Sequence, residues 1–415
     1  MLLGFKTELD LNNKQRTMCA RHAGVARHAW NWGLEVCKGI LEHNRQSPDQ
    51  KLEFPSDIDL HKRLVAEVKK KNPWYYQVSK CAPQQALRNL AVAFKGFFEK
   101  KAKFPRFKKK GKNDSFYLEG KIRISGNQIK LPKIGWVKCY ENLPAVSPKN
   151  VVISRKADRW FVSFKYEVTL SQTPKNLDVV GVDLGSRKLA TLSTGKVFEN
   201  PKALEQLLGR LRRLHRKFSR QLKGGVNREK TRLWLARLHY RIACLRSDNI
   251  HKLTSYLAKN HGVIVIEDLH VRGMLRNRYL ARTIADIGLY EVKRQLEYKC
   301  QLYGSQLVIA DRWFPSSKLC SRCGHIHKKL GSSEVFVCPN CGYQCDRDVQ
   351  AAVNLVNYYL TAVSPTVAAC GATSGGGTPE GGLRAMCATK QEAGTGSQDL
   401  GKSSRLAQAS SSPVQ

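Results

Sequence analysis

Two carboxylates interrupt stretches that are otherwise apolar. Asp183 sits in "VVGVDLG" and Glu267 in "VIVIEDL". A charge inside such a strand is costly unless it is paired or bound to a metal. Either acid alone reads most simply as a paired structural residue. Two of them, each at the end of an apolar strand, point instead to the strand ends where an α/β sheet binds ligands. Asp268 follows Glu267 directly, so strand alternation turns it to the opposite face. A third acid would complete a set for two Mg²⁺ ions, which prefer oxygen ligands and serve phosphodiester cleavage. "CDRDVQAAVNLVNYYL" offers Asp346 and Asp348 where a helix begins. Either could instead be an ordinary N-cap of that helix.

A second constellation is built from thiols. Cys320 and Cys323 form one CxxC pair, Cys338 and Cys341 another, and fourteen residues separate the pairs. Zn²⁺ takes four tetrahedral ligands, and each CxxC turn presents two thiolates. Gly324 and Gly342 follow the pairs and permit the tight backbone. Redox thiol pairs are the rival, but two matched pairs favour a structural zinc ribbon. Four protein ligands close such a site, so its zinc is not catalytic. Cys345 is a spare thiol just outside, and His325 and His327 are not needed as ligands.

The elements that must position these groups can be read from periodicity. Residues 177–184 and 262–269 are apolar strands of a sheet covered on both faces, with a further strand at 188–193 and another in "SQLVIADRW". Residues 203–260 read as an antiparallel helical hairpin. Leu204, Leu207, Leu211, Leu214 and Phe218 form a seam in steps of three and four, answered by Leu235, Leu238, Ile242 and Leu245 after the break "KGGVN". "IADIGLYEVKRQLEYKCQLYG" reads as one amphipathic helix, and "RDVQAAVNLVNYYL" as the last. Upstream, residues 14–100 are mainly helical. In "PQQALRNLAVAFKGFFEKK" the residues Leu87, Leu90, Phe94 and Phe97 make a buried stripe, leaving Gln85, Arg88 and Asn89 on the other face. Residues 120–170 alternate apolar and polar, which predicts a small antiparallel barrel or sheet. "SQTPKN" at 171–176 reads as a linker. The last 50 or so residues are rich in Gly, Ser, Thr and Ala and read as a disordered tail.

Charge suggests the partner. The 415 residues carry 71 Lys and Arg against 33 Asp and Glu, a net +38. Counterion release from phosphates makes nucleic acid the first candidate. An anionic membrane is the weaker rival, since no apolar run approaches a bilayer span. Two basic tracts stand out. "KKAKFPRFKKKGK" at 100–112 holds eight Lys or Arg, among them Lys108, Lys109 and Lys110. The first helix of the hairpin carries Arg210, Arg212, Arg213, Arg216, Lys217 and Arg220. "MLLGFKTELDLNN" lacks signal-peptide features, so a reducing cytoplasm is expected, where thirteen cysteines serve as thiols and metal ligands.

Taken together, the motifs resemble a known family. Asp183 in "GVDLGSRKLAT", Glu267 in "IVIEDL" and Asp348 in "DRDVQAAVN" are similar to the three motifs of a RuvC-like nuclease of RNase H fold. The ribbon between the second and third motifs, with "RQLEYKC", "DRWFPSSKLCSRCG" and "FPRFKKKGK", resembles the TnpB family, related to type V CRISPR effectors. The likeness spans roughly residues 1–358. It implies an RNA-guided DNA endonuclease of an insertion sequence. The guide would come from the transposon end and supply specificity by pairing with a double-stranded DNA target, while the protein reads a short adjacent motif. It implies a wedge-type β-barrel over 1–13 and 101–172 and a helical recognition insert over 14–100. The RuvC-like α/β domain would cover 173–313 and 346–360, with the ribbon at 314–345 and the tail at 361–415. The helix bearing Gln84, Gln85 and Arg88 would approach the duplex, with Lys108–Lys110, Arg213 and Arg216 on nucleic acid.

The implied catalytic acids and Mg²⁺ ligands are Asp183, Glu267 and Asp348, holding two ions, with Asp346 as a helper and one structural Zn²⁺ on the cysteines. The chain departs from the family pattern at Gln350, where Asn is usual. A monomer in the prokaryotic cytoplasm, on the nucleoid, is expected. Two other readings stand beside this one: a catalytically weak RNA-guided DNA-binding regulator, and a RuvC-like nuclease needing no guide.

Overall fold

Asn12 starts the longest helix of the N-terminal half. Its side chain accepts from the Gln15 N–H at 2.9 Å while Gln15 Oε1 accepts from the Asn12 N–H at 3.0 Å, so two otherwise orphaned donors are satisfied at once. The computed structural model describes residues 1–170, 176–331 and 333–363. Strand β1 (Leu2–Asp10) leads into α1 (Asn13–Gln46), followed by α2 (Asp57–Arg63) and α3 (Cys81–Phe98). Helices α1 and α3 approach closely at Gly33, where a Cβ would stand 2.7 Å from Leu87 Cδ2. Leu34, Leu60, Leu64, Leu87, Leu90 and Phe94 fill the core between the helices.

Six strands follow: β2 (Ser115–Glu119), β3 (Arg123–Ser125), β4 (Gln128–Leu131), β5 (Gly135–Cys139), β6 (Asn150–Lys156) and β7 (Arg159–Glu167). With β1 they form a seven-stranded sheet in the order β2-β6-β7-β1-β5-β4-β3. β1 pairs with β7 from Leu2 to Glu8 and passes to β5 at Leu9 and Asp10. β2 and β3 stand at the two ends of this ladder, with no pairing between them among the described residues.

A second sheet is built from β8 (Asn176–Asp183), β9 (Lys188–Leu192), β10 (Val197–Glu199), β11 (His261–Glu267) and β12 (Gln306–Ala310). Its order is β10-β9-β8-β11-β12. β8, β11 and β12 are parallel; β9 and β10 run antiparallel to their neighbours. This order and these directions are an RNase H-like arrangement. Between β10 and β11 lie α4 (Ala203–Arg220) and α5 (Val226–Asn260), then α6 (Val271–Met274), α7 (Ala281–Ile287) and α8 (Leu289–Tyr303) precede β12. The α4–α5 seam packs Leu204, Leu207, Leu211, Leu214 and Phe218 with Leu235, Leu238, Ile242 and Leu245. One sheet face presents Val180, Val182, Ile264 and Ile266 to α5 and α8. The short strands β13 (Val335–Val337) and β14 (Gln344–Asp346) carry the cysteine segment into α9 (Arg347–Tyr358), which covers the other face through Leu355 against Val265 and Val308.

Three expectations change here. The helix read over 284–304 is two helices, because Gly288 adopts φ +77 and caps both. A Cβ there would also crowd Ile250 Cδ1 at 3.2 Å. Asn176, read as linker, already belongs to β8; the rest of that linker lies outside the described residues. Helical backbone continues past Tyr358 as a π-turn to Val363, so the first three residues of the expected tail are helical. Residues 364–415 lie outside the described residues. No helix among the described residues is long and apolar enough to cross a membrane.

Candidate nuclease and zinc sites

The parallel pairing of β8 with β11 sets Ile266 beside Val182, so Asp183 and Glu267 end neighbouring strands side by side. Strand alternation puts both on the face that α9 covers. Helix α9 reaches this face because residue 181 is glycine. A Cβ at Gly181 would lie 1.9 Å from the Ala352 carbonyl oxygen and 3.1 Å from Leu355 Cβ. The first turn of α9 brings Asp348 to the same place. Asp183, Glu267, Asp346 and Asp348 line one cleft of about 380 Å³, together with Ser186, Lys188 and Ser317.

The two aspartates that open α9 now separate by role. Asp346 is the N-cap, accepting from the N–H groups of Asp348 at 2.8 Å and Val349 at 3.1 Å. Burial pushes its pKa up, but these hydrogen bonds and Lys188 outweigh it and hold it below the ordinary value. Asp348 makes no cap and faces Lys188 Nζ at 3.6 Å. Asp268 turns away, as alternation requires, and is held by Lys293 at 3.4 Å and by Arg312.

The cleft calls for positive charge. Asp183 is pushed up to about 7, by burial first and then by Glu267 and Asp348. Lys188 Nζ lies 3.2 Å from Asp346 and 3.6 Å from Asp348, an internal cation standing between carboxylates. A crowded set of hard oxygen donors that already draws in an ammonium group suits Mg²⁺. The ligand atoms of the four cysteines all lie within 4.8 Å of each other; the acids share a cleft. Sequence reasoning passed over Lys188, though the tight β8–β9 turn that brings it into the cleft was visible. It also passed over Ser316, whose hydroxyl donates to Glu267.

The thiols fit zinc. Sγ of Cys320 and Cys341 are 3.7 Å apart, and those of Cys323 and Cys338 are 3.6 Å apart. A tetrahedron with Zn–S bonds of about 2.3 Å has edges of about 3.8 Å. Cys345 lies outside this cluster and donates to Gln350 Oε1 at 3.1 Å. The Gln350 amide serves the ribbon, because Nε2 donates to the Leu319 carbonyl at 2.8 Å.

The expected nucleic-acid residues are spread over several surfaces. Gln84 and Gln85 are half-buried on α3, and Gln85 donates to Asn89 at 2.9 Å. Arg88 is exposed, 3.6 Å from Asp57. The basic strip is pinned to α1: Trp30 Nε1 donates to the Arg106 carbonyl, and Asn31 both donates to and accepts from the Lys108 backbone. Lys109 and Lys110 are exposed. Lys108 differs, its ammonium lying 4.0 Å from the Trp30 ring centre, where burial lowers its pKa. Arg213 and Arg216 are exposed on α4.

Comparison with known proteins identifies relatives of this chain. A family described as probable transposase matches residues 162–278, and a Cas12f1-like TNB domain matches 290–355. A helix-turn-helix domain family matches residues 1–46, which here form a strand and one uninterrupted helix. A Streptomyces pristinaespiralis protein named "Putative RNA-guided DNA endonuclease" is 41% identical, covering 71% of this chain and 74% of that one. "Putative RNA-guided DNA endonuclease InsQ" of Escherichia coli K12 is 35% identical, covering 91% of this chain and 96% of its own. A solved Cas12f1–sgRNA–target DNA complex aligns over 86% of this chain and 99% of that one, at 13% identity and a TM-score of 0.33. By its 35% identity with InsQ across nearly the whole of both proteins, this chain belongs to the TnpB family.

Proposed function

We propose that this protein is an RNA-guided DNA endonuclease that hydrolyses phosphodiester bonds in the acid cleft. One observation carries the reading: Asp183 and Glu267 end adjacent parallel strands, and α9 adds Asp348 on the same face. The names borne by the relatives of Streptomyces and Escherichia support it. Asp183, Glu267 and Asp348 are the residues that would hold two Mg²⁺ ions. Bound there, the ions would activate a water and stabilise the leaving oxygen. Lys188 keeps Asp346 and Asp348 apart from each other's charge and offers a cation to an incoming phosphate. Asp346 fixes the start of α9, and Ser316 orients Glu267. The four cysteines hold one structural Zn²⁺.

Guide RNA and double-stranded DNA are the partners, with the guide derived from the end of an insertion sequence and a short motif read beside the target. The exposed cations Lys109, Lys110, Arg213 and Arg216 suit phosphates, and the Gln84–Gln85–Arg88 face suits the duplex. A monomer acting on the nucleoid is the working unit. The test is direct. Protein purified with its RNA, after that RNA is sequenced, should cut DNA matching the guide portion and leave mismatched DNA intact. Asp183→Ala should abolish cutting. Cleavage that persists in that variant, or that ignores the guide, overturns the reading.

A further inference from the structure

Helix α9 touches three different things. Asp348 in its first turn lines the cleft. Ala352 and Leu355 lie against Gly181. Gln350 and Asn354, four residues apart and therefore on one side of the helix, are 1% and 0% exposed. Their amides converge on a single acceptor: Gln350 Nε2 and Asn354 Nδ2 donate to the Leu319 carbonyl at 2.8 and 2.6 Å. Asn354 also donates to the Ser316 carbonyl at 2.7 Å. Gln350 Oε1 accepts from Ser321 at 2.9 Å and Cys345 at 3.1 Å.

The segment they grip, residues 316–321, is shared between two sites. Ser316 Oγ donates to Glu267, and Ser317 lines the cleft. Cys320 is the first thiol of the ribbon, and its N–H donates to the His325 carbonyl at 2.9 Å within the first cysteine turn. His327 N–H donates to the Lys318 carbonyl at 2.8 Å. The end of this segment from Lys318 to Cys320 is therefore tied to the ribbon, while a turn on the Pro315 carbonyl carries it back to Ser316, which contacts Glu267, and its other side meets the helix that bears Asp348. Asp183, on β8, lies outside this linkage.

Building on the nuclease reading, we propose that Gln350 and Asn354 are positioning residues that make the acid cleft depend on the zinc-loaded state of the ribbon. The ribbon is then more than a staple. Loss of its metal releases Leu319, takes away the acceptor that the two buried amides share, and frees Ser316 from Glu267, so two of the three acids lose their support together. Gln at position 350 suits this role through its length, since its amide reaches Leu319 on one side and Ser321 and Cys345 on the other. Asn, shorter by one methylene, would keep only part of that set.

The experiment uses the full chain without nucleic acid, with Mn²⁺ as the probe of the acid cleft. Mn²⁺ binding is followed by electron paramagnetic resonance, and zinc is counted by elemental analysis. The wild-type protein should hold one zinc and bind Mn²⁺ in a manner abolished by Asp183→Ala. Gln350→Ala should retain zinc yet bind Mn²⁺ about tenfold more weakly, as expected when support around a metal ligand is removed. Gln350→Asn should recover part of that loss. Wild-type protein stripped of zinc and freed of chelator should show a similar weakening with no substitution at all, and Gln350→Ala should add little to it. Unchanged Mn²⁺ affinity in zinc-free wild type, or in zinc-loaded Gln350→Ala, overturns the coupling alone. A wild-type protein with no Asp183-dependent Mn²⁺ binding overturns the metal-site reading and the coupling with it.

Discussion

Asp183 carries a charge that its surroundings resist. Burial and the neighbouring acids push its pKa up to about 7, so the folded protein holds this proton more tightly than the unfolded chain does. Below about pH 4 both states hold the proton and the folded state bears no penalty; as pH rises from about 4 through 7 the folded state loses stability progressively, and the loss is complete above 7. At ~1.4 kcal/mol per unit, a few kcal/mol of strain remain at alkaline pH when no metal is bound. Asp183→Asn should therefore abolish cleavage and yet stabilise the metal-free protein by about 1–3 kcal/mol at pH 8. Unfolding both proteins in chelator at pH 8 and pH 5 checks this: the gap should narrow at pH 5 and close near pH 4. A gap that is absent, or that widens in acid, would refute the electrostatic account. Mg²⁺ should raise the melting temperature of the wild type and leave the variant unmoved. The acids were legible because a carboxylate in an apolar strand violates a simple rule. Lys188 was not, since a lysine after a tight turn looks like any exposed lysine until its contacts are known.

At the scale of elements, the close approach of α9 to β8 rests on one missing side chain. Gly181→Ala places a methyl group 1.9 Å from a backbone carbonyl that cannot move without the helix. The expected cost is about 3 kcal/mol or more, with loss of cleavage as Asp348 is carried away from Asp183. Gly209→Ala should do the opposite. Gly209 lies exposed within α4 with nothing within 4 Å of its missing Cβ, so alanine should stabilise by up to about 1 kcal/mol. Denaturant titration of the pair tests both signs, and a neutral Gly181→Ala would refute the packing argument. Which elements exist was readable wherever a period was strong. The hairpin seam and the apolar strands announced themselves through leucine spacing and valine runs. The division at Gly288 did not, because Ile284, Ile287, Leu289, Val292 and Leu296 are all buried on both sides of it and a lone glycine is often tolerated within a helix. The pairing of distant strands, which sets Glu267 beside Asp183, follows from tertiary packing that no local pattern encodes.

For the whole molecule, the net charge of +38 makes salt the natural probe. Each cation that neutralises a phosphate contributes about one unit to the slope of log affinity against log salt. Not every lysine in the basic strip should count. Lys109 and Lys110 project into solvent from a strip tethered to α1 by Asn31 and Trp30. Lys108 is held over the Trp30 ring at 4.0 Å, half-buried, with its charge already engaged. Binding of the copurified RNA, titrated from low to moderate salt, should lose about one unit of slope for each of Lys109→Ala, Arg213→Ala and Arg216→Ala that removes a phosphate contact. Lys108→Met should leave the slope nearly unchanged while lowering thermal stability through the lost contact with Trp30. Gln84→Ala and Gln85→Ala should likewise spare the slope, but alter which sequence beside the target is accepted, because uncharged amides read base edges rather than phosphates. A Lys108 effect as large as that of Lys109 would mean that the strip detaches from α1 when nucleic acid binds, and that charge alone, without the cradle formed by Trp30 and Asn31, governs its contribution.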